Sequence, residues 1–124
     1  MKLLIVDDSA IIRSRIQRAS LGSAWQFEVV GQARNGSEAL RLCVEKRPEV
    51  ITMDLTMPEM DGIECTRRMS ALLPKAQILV VSALSDKATA LEALKAGAHG
   101  FLLKPFSEKE LAGALDELMK ETRP

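Results

Sequence analysis

The acidic residues of this sequence that are placed to act together follow two short apolar runs. Asp7 and Asp8 come directly after Lys2–Val6, and Asp54 comes directly after Val50–Met53. A carboxylate can bind a hard divalent cation or act as a nucleophile toward phosphorus. Each residue alone also has an ordinary explanation, because Asp7 or Asp8 could cap a following helix and Asp54 could be a loop carboxylate. Only the placement of the three residues relative to one another can distinguish a shared chemical site from helix caps and a loop carboxylate.

A hydroxyl and an ammonium group occupy corresponding places later in the chain. Ser82 follows the apolar run Ile78–Val81, and Lys104 follows Gly100–Leu103. Alone, Ser82 could be a hydroxyl at a helix entry, and Lys104 could be a solvated cation or the partner of a nearby acid. A carboxylate nucleophile, a hydroxyl donor and a cation are together the groups that phosphoryl transfer requires.

The pattern of the sequence predicts the elements that position these residues. Five apolar runs of strand length occur, at Lys2–Val6, Phe27–Ala33, Val50–Met53, Ile78–Val81 and Gly100–Leu103. Between them lie segments with helix-capping residues, namely Ser9, Asn35, Asp61, Asp86 and Ser107 with Glu110. Because parallel strands are joined by right-handed helical crossovers, we predict a doubly wound α/β fold with a five-stranded parallel sheet and five helices. Continuous apolar runs predict strands buried on both faces.

The strand ends of such a sheet form a binding edge. In open α/β sheets, ligands bind outside the carboxyl ends of the strands, where Asp7, Asp8, Asp54, Ser82 and Lys104 would meet. Neighbouring strands are about 4.8 Å apart, and two carboxylates about 4 Å apart repel by roughly 4 kcal/mol. A proton could offset this repulsion, but oxygen ligands beside an open pocket suit Mg²⁺. We therefore predict a magnesium site with Asp54 as the nucleophile.

Composition indicates one soluble domain over residues 1–124. Hydrophobic residues make up 47% and charged residues 27%, and Lys plus Arg equal Asp plus Glu at 17 each, so no overall charge selects nucleic acid or a membrane surface. The apolar run Leu3–Val6 is too short for a signal peptide. Cys43 and Cys65 lack metal-site spacing and are expected to be buried thiols. We expect a cytoplasmic protein.

Five blocks of sequence carry a family resemblance. They are LLIVDDS at 3–9, MDLTMPEMDG at 53–62, VVSA at 80–83, GA at 97–98 and FLLKPF at 101–106. In this order and at this spacing, residues 1 to about 120 resemble the receiver domain of bacterial two-component response regulators, and are similar to its single-domain chemotaxis type. The resemblance implies a flavodoxin-like fold with strand order 2-1-3-4-5.

The resemblance also implies roles for the acidic residues. Asp54 would be the phosphorylation site. Asp8 and Asp54 would bind Mg²⁺ directly, Asp7 would act largely through water, and the backbone carbonyl of Thr56 would be a further ligand. Mn²⁺ could take the place of Mg²⁺. The protein would be a phosphoacceptor, catalysing at most its own phosphorylation and dephosphorylation.

Further residues match the family's switch. Ser82 corresponds to the switch hydroxyl, and Lys104 to the site lysine with a cis bond to Pro105. Phe101 corresponds to the switch aromatic, an interpretation that we favour over that of a plain core residue of strand five. The phosphoryl donor would be a sensor histidine kinase or phosphotransfer protein. A downstream protein would bind the face formed by helix four, strand five and helix five. We expect a monomer or a weak phosphorylation-dependent dimer, with no direct nucleic-acid binding and no membrane insertion.

Two variable positions bear on the lifetime of the phosphoryl group. Neither Thr56 nor Leu84 offers an amide or carboxylate to position attacking water, so we hypothesise slow autodephosphorylation. An aspartyl-phosphate phosphatase or phosphotransferase is an alternative, but it usually needs a second acid or base where Thr56 stands, and a cap. A flavin or nucleotide binder would need a glycine-rich loop where Asp7 and Asp8 stand. His99 is expected at the surface, away from the site, and Trp25 over the edge of the core.

Overall fold

Strands and helices alternate throughout the part of the chain that the computed structural model describes, residues 1–57, 61–84 and 86–120. The strands are β1 (Lys2–Val6), β2 (Glu28–Ala33), β3 (Val50–Met53), β4 (Gln77–Ser82) and β5 (Gly100–Leu103). The helices are α1 (Ala10–Ser20), α2 (Gly36–Lys46), α3 (Gly62–Leu72), α4 (Lys87–Ala96) and α5 (Glu108–Lys120). All strand pairs are parallel, and their order is β2-β1-β3-β4-β5. The predicted flavodoxin-like fold is confirmed.

The order of the strands reverses at β1, which lies between β2 and β3. Val6 pairs with Met53 at the end of the ladder, and the backbone N–H of Asp54 donates to the carbonyl of Val6 at 3.0 Å. The next residue of β1 is Asp7, whose N–H donates to the carbonyl of Ala33 in β2 at 2.9 Å. The register therefore sets the carboxylates after β1 and β3 side by side.

Two apolar layers cover the sheet. One consists of buried residues from the sheet together with α2 and α3, including Leu42, Cys43, Cys65 and Met69. The other joins the opposite face of the sheet to α1 and α5, and Trp25 packs against it as expected. Helices on both faces leave the strand ends as the open edge of the molecule.

Burial on both faces is confirmed only for the central strands. All residues of β3 are buried, whereas β2 and β5 are mostly half-buried or exposed. Leu103 at the end of β5 is 45% exposed. The prediction was wrong for these two strands because each has a strand neighbour on one side only and lies at the margin of the helix layers.

The predicted capping residues begin the helices. Side-chain oxygens of the capping residues accept first-turn backbone N–H groups, at Ser9, Asn35, Asp61, Asp86 and Ser107. Ser107 and Glu110 form the complete capping box, with reciprocal bonds of 3.0 and 2.9 Å. Glu64 in α3 does not complete one, because it pairs with Arg67 and Arg68.

His99 has a structural role that the sequence did not reveal. It is exposed, as expected, but its ring Nδ1 accepts a hydrogen bond from the backbone N–H of Ile78 at 3.1 Å. The backbone N–H of His99 in turn donates to the backbone carbonyl of Ile78 at 2.8 Å. The imidazole thus extends the hydrogen bonding between β4 and the chain entering β5.

Gly97, the C-cap of α4, has φ of 121°, a conformation that favours glycine.

Both cysteines are free and buried, as expected. Burial raises the pKa of Cys43 to about 12, with a smaller contribution from the neighbouring Cys65. Burial likewise raises the pKa of Cys65 to about 11. The Lys104–Pro105 bond is cis, as the resemblance implied. Among the described helices, none is long and apolar enough to cross a membrane.

Candidate functional site

Three carboxylates converge at the ends of β1 and β3. One oxygen from each of Asp7, Asp8 and Asp54 lies within 4.8 Å of the others. Asp7 and Asp54 are buried, with exposed fractions of 0% and 1%, whereas Asp8 is exposed. The cluster therefore forms an acidic pocket with Asp7 and Asp54 at its buried end and Asp8 at its opening to solvent.

Lys104 provides positive charge to this pocket from the end of β5. Its Nζ donates to Asp7 Oδ2 at 2.7 Å and lies 3.6 Å from Asp54 Oδ1. The backbone N–H of Lys104 donates to the carbonyl of Ser82 at 2.8 Å, which ties the strand ends of β4 and β5 together. One ammonium group faces two buried carboxylates, so the described pocket retains an excess of negative charge.

The titration of Asp7 reflects mainly its burial. Its pKa is raised above the usual value because burial disfavours the charged form, and the nearby charge of Asp54 adds to that effect. Hydrogen bonds from Lys104 and from the N–H of Ser9 act in the opposite direction. Burial outweighs these bonds, so an additional cation in the pocket would stabilise the ionised cluster.

Asp54 has one engaged oxygen and one orphaned oxygen. Its Oδ1 accepts from the N–H of Thr56 at 3.2 Å and from the hydroxyl of Thr56 at 3.1 Å. Its Oδ2 is buried and has no hydrogen-bond partner among the described residues. Buried carboxylate oxygens are rarely left without a partner. Oδ2 is therefore open to a further partner, and the three carboxylates together form an all-oxygen donor set that fits a hard divalent cation such as Mg²⁺.

Ser82 is fully buried at the end of β4. Its Oγ accepts the backbone N–H of Leu84 at 3.1 Å, and a hydroxyl that accepts a bond keeps its own hydrogen as a donor. The structure shows no hydrogen bond between Ser82 and Asp54 in the described part of the chain. Leu84 itself is exposed, as is Thr56.

Phe101 lies in a third, small apolar cluster. Its half-buried side chain, like that of Ile63, packs against a buried cluster formed by Leu55, Val80, Ala93 and Ala98. Leu55 directly follows Asp54, and Ala93 belongs to α4. This cluster therefore connects the chain beside the acidic pocket with the outer surface of α4.

Two features beside the pocket were not predicted from the sequence. Arg13 in α1 donates from Nη1 to the backbone carbonyl of Asp7 at 2.7 Å. Gly62 at the start of α3 approaches the backbone of Leu55 so closely that a Cβ would overlap its Cα and carbonyl oxygen. Residues 58–60 of the MDLTMPEMDG block lie outside the described residues, as does Ser85.

Comparison with known proteins identifies the family. The family model of the response regulator receiver domain matches residues 3–116 of this chain. The chain belongs to the response regulator receiver family. It is a phosphoacceptor domain of two-component signalling, as the sequence predicted, and the phosphatase alternative is not favoured. This receiver is 40% identical over 119 residues to the chemotaxis protein CheY of Thermotoga maritima, covering 96% of this chain and 98% of that protein.

Solved structures show the same receiver fold. The response regulator domain of Thermotoga maritima CheB is 32% identical with a TM-score of 0.83, covering 98% of this chain and 94% of that one. One chain of a CheX-CheY-BeF3-Mg²⁺ complex from Borrelia burgdorferi is 26% identical to this chain, with a TM-score of 0.89. The match covers 96% of this chain and 89% of that chain. The acidic pocket thus lies in a receiver with chemotaxis-type relatives.

Proposed function

We propose that this receiver accepts a phosphoryl group on Asp54 from a sensor histidine kinase or a phosphotransfer protein. The observation that carries the proposal is the orphaned Oδ2 of Asp54 within a cluster that also holds Lys104. Both oxygens of Asp7 are already engaged, by the N–H of Ser9 and by Lys104. Asp8 is exposed to solvent. Asp54 is therefore the carboxylate best placed to react.

The transfer step exchanges one bond to phosphorus for another. A carboxylate oxygen of Asp54 forms a bond to phosphorus while the P–N bond to the donor histidine breaks, and its electron pair remains on the imidazole nitrogen. Lys104 offsets negative charge on the phosphoryl oxygens, and the Ser82 hydroxyl donates to one of them.

Mg²⁺ is the cofactor that the oxygen donor set suits. Asp8 and Asp54 would bind it directly, with the Thr56 carbonyl as a further ligand and Asp7 acting through water. When bound, the cation supplies neutralisation of charge on the transferring phosphoryl group. The Borrelia burgdorferi relative is described with BeF3 and Mg²⁺, which supports the same combination here.

The output is a change in the face formed by α4, β5 and α5. A phosphoryl group adds roughly −1.5 to −2 charge beside Ser82, and movement of the hydroxyl toward it gives Phe101 room to turn inward. The shift in population between two states would alter a surface on which Leu91, Leu94 and Leu103 are exposed. A downstream protein with an apolar contact surface fits this face.

The phosphorylated receiver keeps its phosphoryl group for a long time. Exposed Thr56 and Leu84 supply no amide or carboxylate that would position attacking water, so autodephosphorylation is slow. The receiver acts in the cytoplasm as a monomer or as a weak dimer that depends on phosphorylation.

Incubation with phosphoramidate tests phosphorylation directly. We expect a mass increase of one phosphoryl group that requires Mg²⁺ and is absent from Asp54→Asn. A mass increase that persists in Asp54→Asn would refute Asp54 as the acceptor. Unchanged hydrolysis rates in Thr56→Asn and Leu84→Glu would refute the explanation of slow dephosphorylation.

A further inference from the structure

The exposed member of the acidic cluster has no anchor of its own. Asp8 forms no hydrogen bond or ion pair within residues 1–57, 61–84 and 86–120, although its carboxylate is within 4.8 Å of the other two. Its direction therefore depends on the backbone on either side. On one side, the N–H of Ser9 donates to Asp7 Oδ1 at 2.9 Å. On the other, the carbonyl of Asp7 accepts from Arg13 Nη1 at 2.7 Å.

Arg13 is itself held by a chain of side chains. Its Nε donates to Gln32 Oε1 at 3.2 Å, and Gln32 Nε2 donates to Gln17 Oε1 at 2.8 Å. Gln32 belongs to β2 and Gln17 to α1, so the network joins the edge strand and the helix. The planar guanidinium presents its N–H groups in a fixed geometry, which lets one side chain hold the Asp7 carbonyl and the Gln32 amide at the same time.

We propose that Arg13 is a positioning residue for the cation site. By holding the carbonyl of Asp7, it fixes the peptide between Asp7 and Asp8, and this sets the direction of the Asp8 carboxylate. The inference rests on the proposed function, in which Asp8 binds Mg²⁺. Groups outside the direct ligands commonly change metal affinity about 10- to 100-fold when removed, and the contact of Arg13 with a backbone carbonyl places it at the lower end of this range.

The charge of Arg13 makes the inference testable, because charge and position act in opposite directions. If Arg13 acted only through its positive charge near the acidic cluster, its removal would strengthen cation binding. If it positions Asp8, its removal weakens cation binding. The sign of the change in Mg²⁺ affinity therefore separates the two roles.

The experiment is a calorimetric titration with MgCl₂ of the wild-type protein and three variants. Arg13→Met keeps the apolar stem and removes all donors, and we expect a loss of about tenfold in affinity. Arg13→Lys keeps the charge and one donor, and a smaller loss is expected. Arg15→Met removes the same charge from an exposed position of α1 and should leave the affinity within about twofold. Equal or tighter binding by Arg13→Met would overturn the inference.

A second measurement keeps the test valid if Arg13→Met folds poorly. Gln32→Leu removes the partner of Arg13 Nε and leaves the guanidinium charge in place. In magnesium-free protein, we expect the backbone amide of Asp8 to shift or broaden in the NMR spectrum of Gln32→Leu, with weaker Mg²⁺ binding. An unchanged Asp8 amide and unchanged affinity in that variant would contradict the role of Arg13.

Phosphorylation by phosphoramidate separates this inference from the proposed function. The Mg²⁺ concentration needed for half the maximal rate of phosphorylation should be higher for Arg13→Met than for the wild-type protein. Failure of the wild-type protein to bind Mg²⁺ or to gain a phosphoryl group would contradict the proposed function. Normal wild-type behaviour with an unaffected Arg13→Met would contradict the positioning role alone.

Discussion

The ammonium of Lys104 donates a hydrogen bond of 2.7 Å to the buried carboxylate of Asp7. This pair joins the end of β5 to the end of β1 across the sheet, and the same ammonium lies 3.6 Å from Asp54. One cation thus holds two buried acids together. The pair is the main internal compensation for negative charge in the described pocket.

Replacement of Lys104 by Met should destabilise the magnesium-free protein by about 3–5 kcal/mol, because it leaves buried carboxylates without their cation. Mg²⁺ should then raise the melting temperature of Lys104→Met more than that of the wild-type protein, since a bound cation supplies the missing charge. Thermal unfolding with and without MgCl₂ measures both effects. A smaller Mg²⁺-dependent increase in the variant would show that Lys104 does not compensate the cluster.

Gly62 should not tolerate a side chain. A Cβ at this position would overlap the backbone of Leu55, so Gly62→Ala must displace the start of α3 or the residue that follows Asp54. We expect a loss of about 1–3 kcal/mol in the free energy of unfolding. Gly113 in α5 is the matched control, because a Cβ added there would meet no atom within 4 Å.

Gly113→Ala should stabilise the protein by about 0.5–1 kcal/mol, since alanine favours the interior of a helix over glycine. Denaturant unfolding of the two variants gives both values. Equal effects of the two substitutions would contradict the close approach of α3 to Leu55.

The two cysteines should be unreactive in the folded protein. Their pKa values are raised, to about 12 for Cys43 and about 11 for Cys65. At pH values at which the thiols of the unfolded chain ionise, those of the folded protein therefore stay protonated. The free energy of unfolding therefore has its full value below the usual thiol pKa near 9 and decreases as the pH rises toward 11 and 12.

Reaction with a thiol reagent at neutral pH should occur only after unfolding. Unfolding curves between pH 8 and about 11 should show the decline in stability, and Cys43→Ala/Cys65→Ala should reduce its slope. Rapid labelling of the native protein would contradict the buried positions.

His99 should contribute to stability through its acceptor nitrogen. His99→Leu leaves the buried N–H of Ile78 without this partner, and we expect a loss of about 1–3 kcal/mol. His99→Asn is the control, since the amide oxygen can stand where Nδ1 accepts. Chemical unfolding should place the asparagine variant closer to the wild type than the leucine variant, and hydrogen exchange of the Ile78 amide should follow the same order. The reverse order would contradict the hydrogen bond.

Local signals in the sequence were sufficient to predict the fold class, whereas the strand order followed from the family resemblance. Continuous apolar residues gave the bounds of β1, β3 and β5, and the parallel topology then brought Asp7 and Asp54 to one edge of the sheet. The exposure of β2 was not predicted, because a continuous apolar run indicates burial on both faces whatever the position of the strand in the sheet.

Features of the site that depend on distant contacts could not be predicted. The bond from Arg13 to the Asp7 carbonyl joins a charged helix residue to a backbone atom, and no side-chain pattern marks a backbone acceptor. The orphaned Oδ2 of Asp54 likewise depends on packing around the carboxylate. Residue types predicted which groups meet, while the structure was needed to show which of their atoms remain available.

Chemical location of the phosphoryl group is the most direct test of the central claim. After reaction with phosphoramidate and Mg²⁺, borohydride reduction converts an aspartyl phosphate to homoserine, and peptide mass spectrometry locates the converted residue. We predict conversion at position 54 alone, with Asp7 and Asp8 unchanged. Conversion at Asp7 or Asp8, or none at position 54, would contradict the assignment of Asp54 as the phosphoryl acceptor.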